Sequence, residues 1–148
     1  MEKMKMMLVD DEERFLSTTR KLLEKKYYDV LTATSGADAL ELLRTNRVHV
    51  VILDVKMPGM DGVATLREIK RRFPMIEVIM LTGHATVDSA VEGMKSGAVD
   101  YLMKPADIEE IVAKATDAFK RRADIEDRIR VARMRSLMKS PREIIERA

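Results

Sequence analysis

The sequence predicts an α/β fold: a parallel β-sheet with helices packed on both faces. Three observations predict it. Short apolar runs alternate five times with longer amphipathic segments, the pattern of repeated strand and helix units. Parallel neighbours need right-handed crossover connections, which place the helices over the sheet. The first, third and fourth runs are almost continuously hydrophobic, which marks them as central strands covered on both sides. At 148 residues the chain has room for one ordinary domain plus an appendage, and not for two large domains.

The first strand is Met6 to Val9, followed by a helix from about Glu13 to Lys26 with Phe15, Leu22 and Leu23 as its expected inner face. Asp29 to Ala33, rich in Val, Leu and Thr, is the second strand. Ser35 has Asp38 three residues on, a variant of the capping box, and opens a helix carrying Ala39, Leu40, Leu42 and Leu43. Val48 to Leu53 is the third strand, and Gly62 to Arg72 the next helix, stopped before Pro74. Glu77 to Leu81 is the fourth strand. After it Thr86 caps a helix ending near Ser96 and Gly97, where glycine tolerates the left-handed conformation that closes helices. Asp100 to Met103 is a short fifth strand, and Asp107 with Glu110 forms another capping box that opens the last helix.

That helix is expected to run on through KRRADIEDRIRVARMRSLMK, with Ile125, Ile129 and Ala132 on one face. Ser140-Pro141-Arg142-Glu143 then restarts a short helix: a capping serine, proline at the first helical position, glutamate at the third. Charge divides the chain. Residues 1–119 carry 17 basic and 20 acidic side chains and residues 120–148 carry 10 and 5, so a basic tail follows a mildly acidic body. There is no cysteine, which excludes disulfides, thiolate metal sites and cysteine nucleophiles. The apolar runs are short and the amino terminus soon turns acidic, so neither a membrane span nor a signal peptide is expected, and the cytoplasm is the expected location.

The chemistry lies at the strand ends. Strand one runs into Asp10 and Asp11, strand three into Asp54, strand four into Thr82 and strand five into Lys104. In a parallel sheet these ends share one edge, where open α/β sheets bind ligands. A carboxylate after the apolar run VVIL is costly if buried unpaired, so Asp54 is expected at the rim of a shared pocket. Three crowded carboxylates call for a cation. Oxygen ligands with no His or Cys nearby suit a hard ion, and a site with room for water and a phosphoryl group suits Mg2+. Lys104 and Thr82 add an ammonium and a hydroxyl aimed at the same place. The inference is a phosphoryl acceptor in which Asp54 is the nucleophile and Mg2+ and Lys104 neutralise developing charge.

Four motifs, LVDDE (8–12), ILDVKMPGMDG (52–62), LTGHA (81–85) and GAVDYLMKP (97–105), occur in this order and at these separations. Through them the sequence resembles the receiver domain of two-component response regulators, of the stand-alone, CheY-like kind, from Met4 to about Phe119. The resemblance implies a flavodoxin-like, doubly wound sheet in the order 2-1-3-4-5. It implies phosphorylation of Asp54 by a sensor histidine kinase, with Mg2+ held by Asp10, Asp11, Asp54 and the backbone carbonyl of Lys56, and Lys104 paired with the phosphoryl group. Thr82 would move to bond the phosphoryl oxygens and Tyr101 would turn inward behind it. Lys56 and His84 stand where relatives tune phosphoryl lifetime, and the bond before Pro105 is cis in many of them. Residues 1–120 are then a receiver, and 121–148 a basic helical extension without a separate effector domain.

Each residue also has a plainer role: Asp10 and Asp11 as a helix cap, Asp54 as a strand terminator, Pro58-Gly59 as a turn, Lys104, Lys56 and His84 as solvated side chains. It is the constellation that favours chemistry. His49 is expected to be structural or an edge residue, and the twelve methionines to fill core gaps. The leading reading of the whole chain is a receiver that signals by presenting helix four, strand five and helix five to a protein partner or a second copy. It is not itself an enzyme, beyond taking phosphoryl groups from small donors and slowly losing them. A second reading is a DNA-binding regulator lacking its output domain. The tail has no aromatic residue, so direct nucleic-acid binding by stacking is not expected. A third is an aspartyl-phosphate hydrolase of the haloacid dehalogenase kind, disfavoured because Lys56 stands where those enzymes carry a second acid.

Overall fold

A computed structural model describes residues 2–55, 62–83 and 87–138, without the side chains of 87–89. Ten elements alternate: β1 (Lys5–Val9), α1 (Glu13–Lys25), β2 (Asp29–Ala33), α2 (Gly36–Thr45), β3 (Val50–Asp54), α3 (Gly62–Arg72), β4 (Glu77–Thr82), α4 (Val87–Lys95), β5 (Asp100–Met103) and α5 (Ile108–Leu137). The strands form one sheet in the order β2-β1-β3-β4-β5, and every pairing is parallel. The three runs read as central are the three inner strands.

Period-two alternation divides the core into two halves. Met7, Val9, Val51, Leu53, Val78 and Met80 pack with Ala39, Leu40 and Leu43 of α2 and Leu66 and Ile69 of α3. Met6, Leu8, Val50, Ile52, Ile79 and Leu81 pack with Leu16 and Leu23 of α1 and Ile111, Ala115 and Ala118 of α5. Burying such a side chain is worth roughly 1.5–3 kcal/mol, so helices cover both faces because both faces of the inner strands are apolar. Gly93 of α4 sits where a Cβ would collide with the Met80 side chain, which lets α4 approach β4 closely.

Several local expectations hold in detail. Ser35 Oγ accepts the Asp38 N–H at 3.1 Å, and Gly97 has φ +111°, the left-handed value that closes α4. Others are corrected. Leu22 is exposed, because the buried stripe of α1 is Leu16, Thr19 and Leu23. Asp107 holds the extended cap geometry of α5 without a side-chain capping bond. β3 begins at Val50, with His49 leading in: its N–H donates to Lys5 O at 2.9 Å and its Nδ1 accepts the Lys5 N–H at 3.0 Å. The His49 ring meets Phe119 of α5 edge-on at 4.9 Å, the structural role expected of it.

α5 is a single helix of 30 residues whose last buried position is Ala118. Where it leaves the body, Arg122 Nη2 donates to Pro74 O at 2.7 Å. The expected restart at Ser140 and the Thr86 cap lie outside the described residues. Among the described residues no helix is long and apolar enough to cross a membrane.

Candidate functional site

Each strand delivers its polar terminus to the carboxyl edge of the sheet. Asp10 directly follows β1; its N–H donates to Ala33 O of β2 at 3.1 Å, and its Oδ1 accepts the Glu12 N–H at 2.9 Å. Asp54 is the last residue of β3, in register with Leu81 of β4. Carboxylate oxygens of Asp10, Asp11 and Asp54 lie within 4.8 Å of one another, a spacing that fits one small cation. Thr82, buried, ends β4. Its carbonyl accepts the Lys104 N–H at 2.8 Å, which fixes the chain just beyond β5 against the site.

The Lys104 ammonium reaches into the acids. Its Nζ donates to Asp10 Oδ2 at 2.5 Å and lies 3.7 Å from Glu12 Oε1 and 3.9 Å from Asp54 Oδ2. Burial works against the charged amine, but the hydrogen bond and charge of Asp10, with the charges of Asp54 and Glu12, outweigh it and hold the pKa above the ordinary lysine value. The peptide bond between Lys104 and Pro105 is cis.

One expectation about this site is corrected. Asp54 is not a rim residue: it is 6% exposed, and Asp10 is 1% exposed, while Asp11 faces solvent. β3 carries its strand geometry through Asp54, so the carboxylate sits inside the edge, and Lys104 supplies a positive charge close enough to make this tolerable. Asp10, Asp11, Asp54, Thr82 and Lys104 thus lie together. Tyr101 stands apart on β5, 41% exposed. Lys56 and His84 lie outside the described residues.

Two neighbours of Lys104 were missed in the sequence. Glu12 belongs to the LVDDE motif yet was given no role. Periodicity places Phe15 on the inner face of α1, where it packs against the core, and gives no sign that the Lys104 Nζ lies 4.7 Å from its ring centroid. Gly62 is the remaining local requirement. A Cβ there would stand 2.4–2.5 Å from Val55 Cα and the carbonyl oxygens of Asp54 and Val55, so only glycine lets α3 start this close to the end of β3.

The oxygen-only donor set fits a hard divalent ion such as Mg2+. With such an ion held by the three carboxylates, the ion and the Lys104 ammonium together would neutralise and orient an incoming anionic group, which the carboxylates alone would repel.

Comparison with known proteins agrees with this geometry. The model of the response regulator receiver domain matches residues 6–116. The chain is 42% identical over 107 residues to the transcriptional regulatory protein ZraR of Escherichia coli K12, covering 72% of this chain and 24% of that one. It is 42% identical over 106 residues to the DNA-binding transcriptional regulator NtrC of Klebsiella pneumoniae, covering 72% and 23%. The chain thus spans about a quarter of the length of these relatives. A receiver domain structure from Clostridium thermocellum superposes with TM-score 0.77 at 38% identity, covering 82% of this chain and 98% of that one. A CheY-like receiver from Methanospirillum hungatei gives TM-score 0.79 at 25% identity, covering 83% and 98%. The acid group, the lysine after β5 and the 2-1-3-4-5 sheet all point the same way: this chain belongs to the response regulator receiver domain family, whose work is phosphorelay signalling.

Proposed function

We propose that the chain is a phosphoacceptor switched by a sensor histidine kinase in the cytoplasm, with Asp54 as the acceptor. The observation that carries this reading is the meeting of Asp10, Asp11 and Asp54 within 4.8 Å with the Lys104 ammonium 3.9 Å from Asp54. An Asp54 carboxylate oxygen forms the new bond to phosphorus as the bond to the donor breaks, and the donor keeps that electron pair. Lys104 exchanges its partner Asp10 for a phosphoryl oxygen. Asp10, Asp11, Asp54 and the Lys56 carbonyl would hold Mg2+, which when bound offsets charge on the phosphoryl oxygens.

The switch follows from charge. A phosphoryl group adds roughly −1.5 to −2 charges if it ionises like other protein phosphates. Moving a population from mostly off to mostly on needs about 5.5 kcal/mol of differential interaction. Thr82 reaching for the new oxygens, with Tyr101 turning inward behind it, is the route by which the site would supply it. Tyr101, Met103, Val91 and Met94 are exposed hydrophobics on β5 and α4, which supports the face of α4, β5 and α5 as the surface offered to a protein partner or a second copy. Lys56 and His84 would tune the lifetime of the phosphoryl group, and small phosphodonors would substitute for the kinase. Residues 1–120 would form the receiver and 121–148 a basic helical extension.

A second reading, the receiver of a longer DNA-binding regulator, is favoured by one observation: α5 continues as helix well past its last buried residue, as a connection to a further domain would. The kinase-independent test serves both readings. Incubation with Mg2+ and acetyl phosphate should add one phosphoryl mass to wild type and none to Asp54→Asn, read by intact mass; equal labelling of the two would overturn the assignment. Removing Mg2+ with a chelator should stop the labelling.

A further inference from the structure

The Lys104 side chain is long and flexible, and its reach toward Asp54 depends on what holds it. Asp10 holds one side at 2.5 Å. On another is the Phe15 ring, 4.7 Å from Nζ to the centroid, within the range in which an aromatic face attracts an ammonium. Phe15 is itself held: it comes from the first turns of α1 and packs against the core half formed by Leu8, Leu16 and Ile52. The ring is therefore a fixed surface beside a mobile cation.

We propose that Phe15 is a positioning residue, its ring holding the Lys104 ammonium by a cation–π contact beside Asp10 and Asp54, so that the charge is in place before a phosphodonor arrives. This rests on the phosphoacceptor reading for its consequence, though not for the contact itself. Three features carry it. The contact pairs a face of π density with a half-buried ammonium, its side chain 19% exposed, and such attractions strengthen as the cation loses water. Asp10 already spends Oδ1 on the Glu12 N–H, so a single short bond, to its Oδ2, holds the amine, while Glu12 and Asp54 attract it from 3.7 and 3.9 Å, beyond hydrogen-bond reach. The Lys104 N–H bond to Thr82 O fixes the backbone and not the four-carbon stem.

The test separates contact from consequence. In metal-free protein, the Lys104 Hε protons should show the upfield displacement of a nearby ring in wild type and Phe15→Tyr, and lose it in Phe15→Leu, which keeps apolar volume. With Mg2+ and acetyl phosphate, Phe15→Leu should be phosphorylated about three- to fivefold more slowly than wild type, with Phe15→Tyr close to wild type. In a Lys104→Met background Phe15→Leu should cause no further slowing, because it acts through the ammonium. An unchanged Hε shift in Phe15→Leu would overturn the contact. Equal slowing with and without Lys104 would show a merely structural effect and overturn the positioning role. Failure of the acceptor reading looks different: wild type would take no label on Asp54 while the Hε displacement persisted.

Discussion

Lys70, on α3, carries a positive charge into the body at the sheet edge opposite the acids. Its Nζ donates to Ile76 O at 2.8 Å and Pro74 O at 3.0 Å and lies 3.6 Å from the buried Glu77. Burial depresses its pKa; the Glu77 charge opposes this, and Arg122 adds repulsion. With the folded pKa below the unfolded value of 10.5, the unfolded chain binds more protons between the two, and stability rises with pH through that interval. Urea denaturation of wild type and Lys70→Met at pH 8 and 10.5 should therefore show the advantage of wild type growing at the higher pH. A gap that shrinks would reverse the assigned sign. Lys104 differs in the direction of its shift because acids surround it at three distances, whereas Lys70 has one acid and two repelling arginines, Arg122 and Arg121.

At the scale of elements, the close start of α3 against the end of β3 makes Gly62 a sensitive position. Its missing Cβ would meet backbone atoms of Asp54 and Val55, which cannot yield as a side chain tip would. Gly62→Ala should destabilise the protein by about 3 kcal/mol or more in urea denaturation, with loss of Asp54 labelling; a change under about 1 kcal/mol would mean that the β3–α3 connection adapts freely. The elements themselves were legible in the sequence because nearly every one carries its own signal: apolar runs for β1, β3 and β4, Ser35 for α2, Gly97 for the end of α4. The acid and lysine positions were legible because parallel strands bring their ends to one edge. The burial of Asp54 was not, since it depends on how far β3 keeps its strand geometry and on a cation fifty positions away. Phe15 was read as core for a related reason: periodicity tells which face of α1 points inward and not that the end of that face borders Lys104. Leu22 failed by periodicity itself, Leu16, Thr19 and Leu23 forming the better stripe.

Across the whole molecule, α5 joins two environments. Ile111, Ala115 and Ala118 are buried against the sheet, and Arg122 is pinned to the α3–β4 turn, but every residue from Asp127 to Met138 is exposed. Opening that exposed half breaks no core packing, so its amides should exchange with far less protection than those of 111–118, as measured by hydrogen exchange at micromolar concentration. Uniform protection along α5 would mean that another surface covers the outer half. The same helix begins four residues after Lys104 and runs to the far side of the body and beyond. Thirty residues at 1.5 Å each make a rod of roughly 45 Å, so a tilt of about five degrees at its root would displace its tip by roughly 4 Å. The exposed outer half of α5 is thus a lever arm: a small tilt of the helix becomes a displacement at its tip several times larger than the movement that starts it.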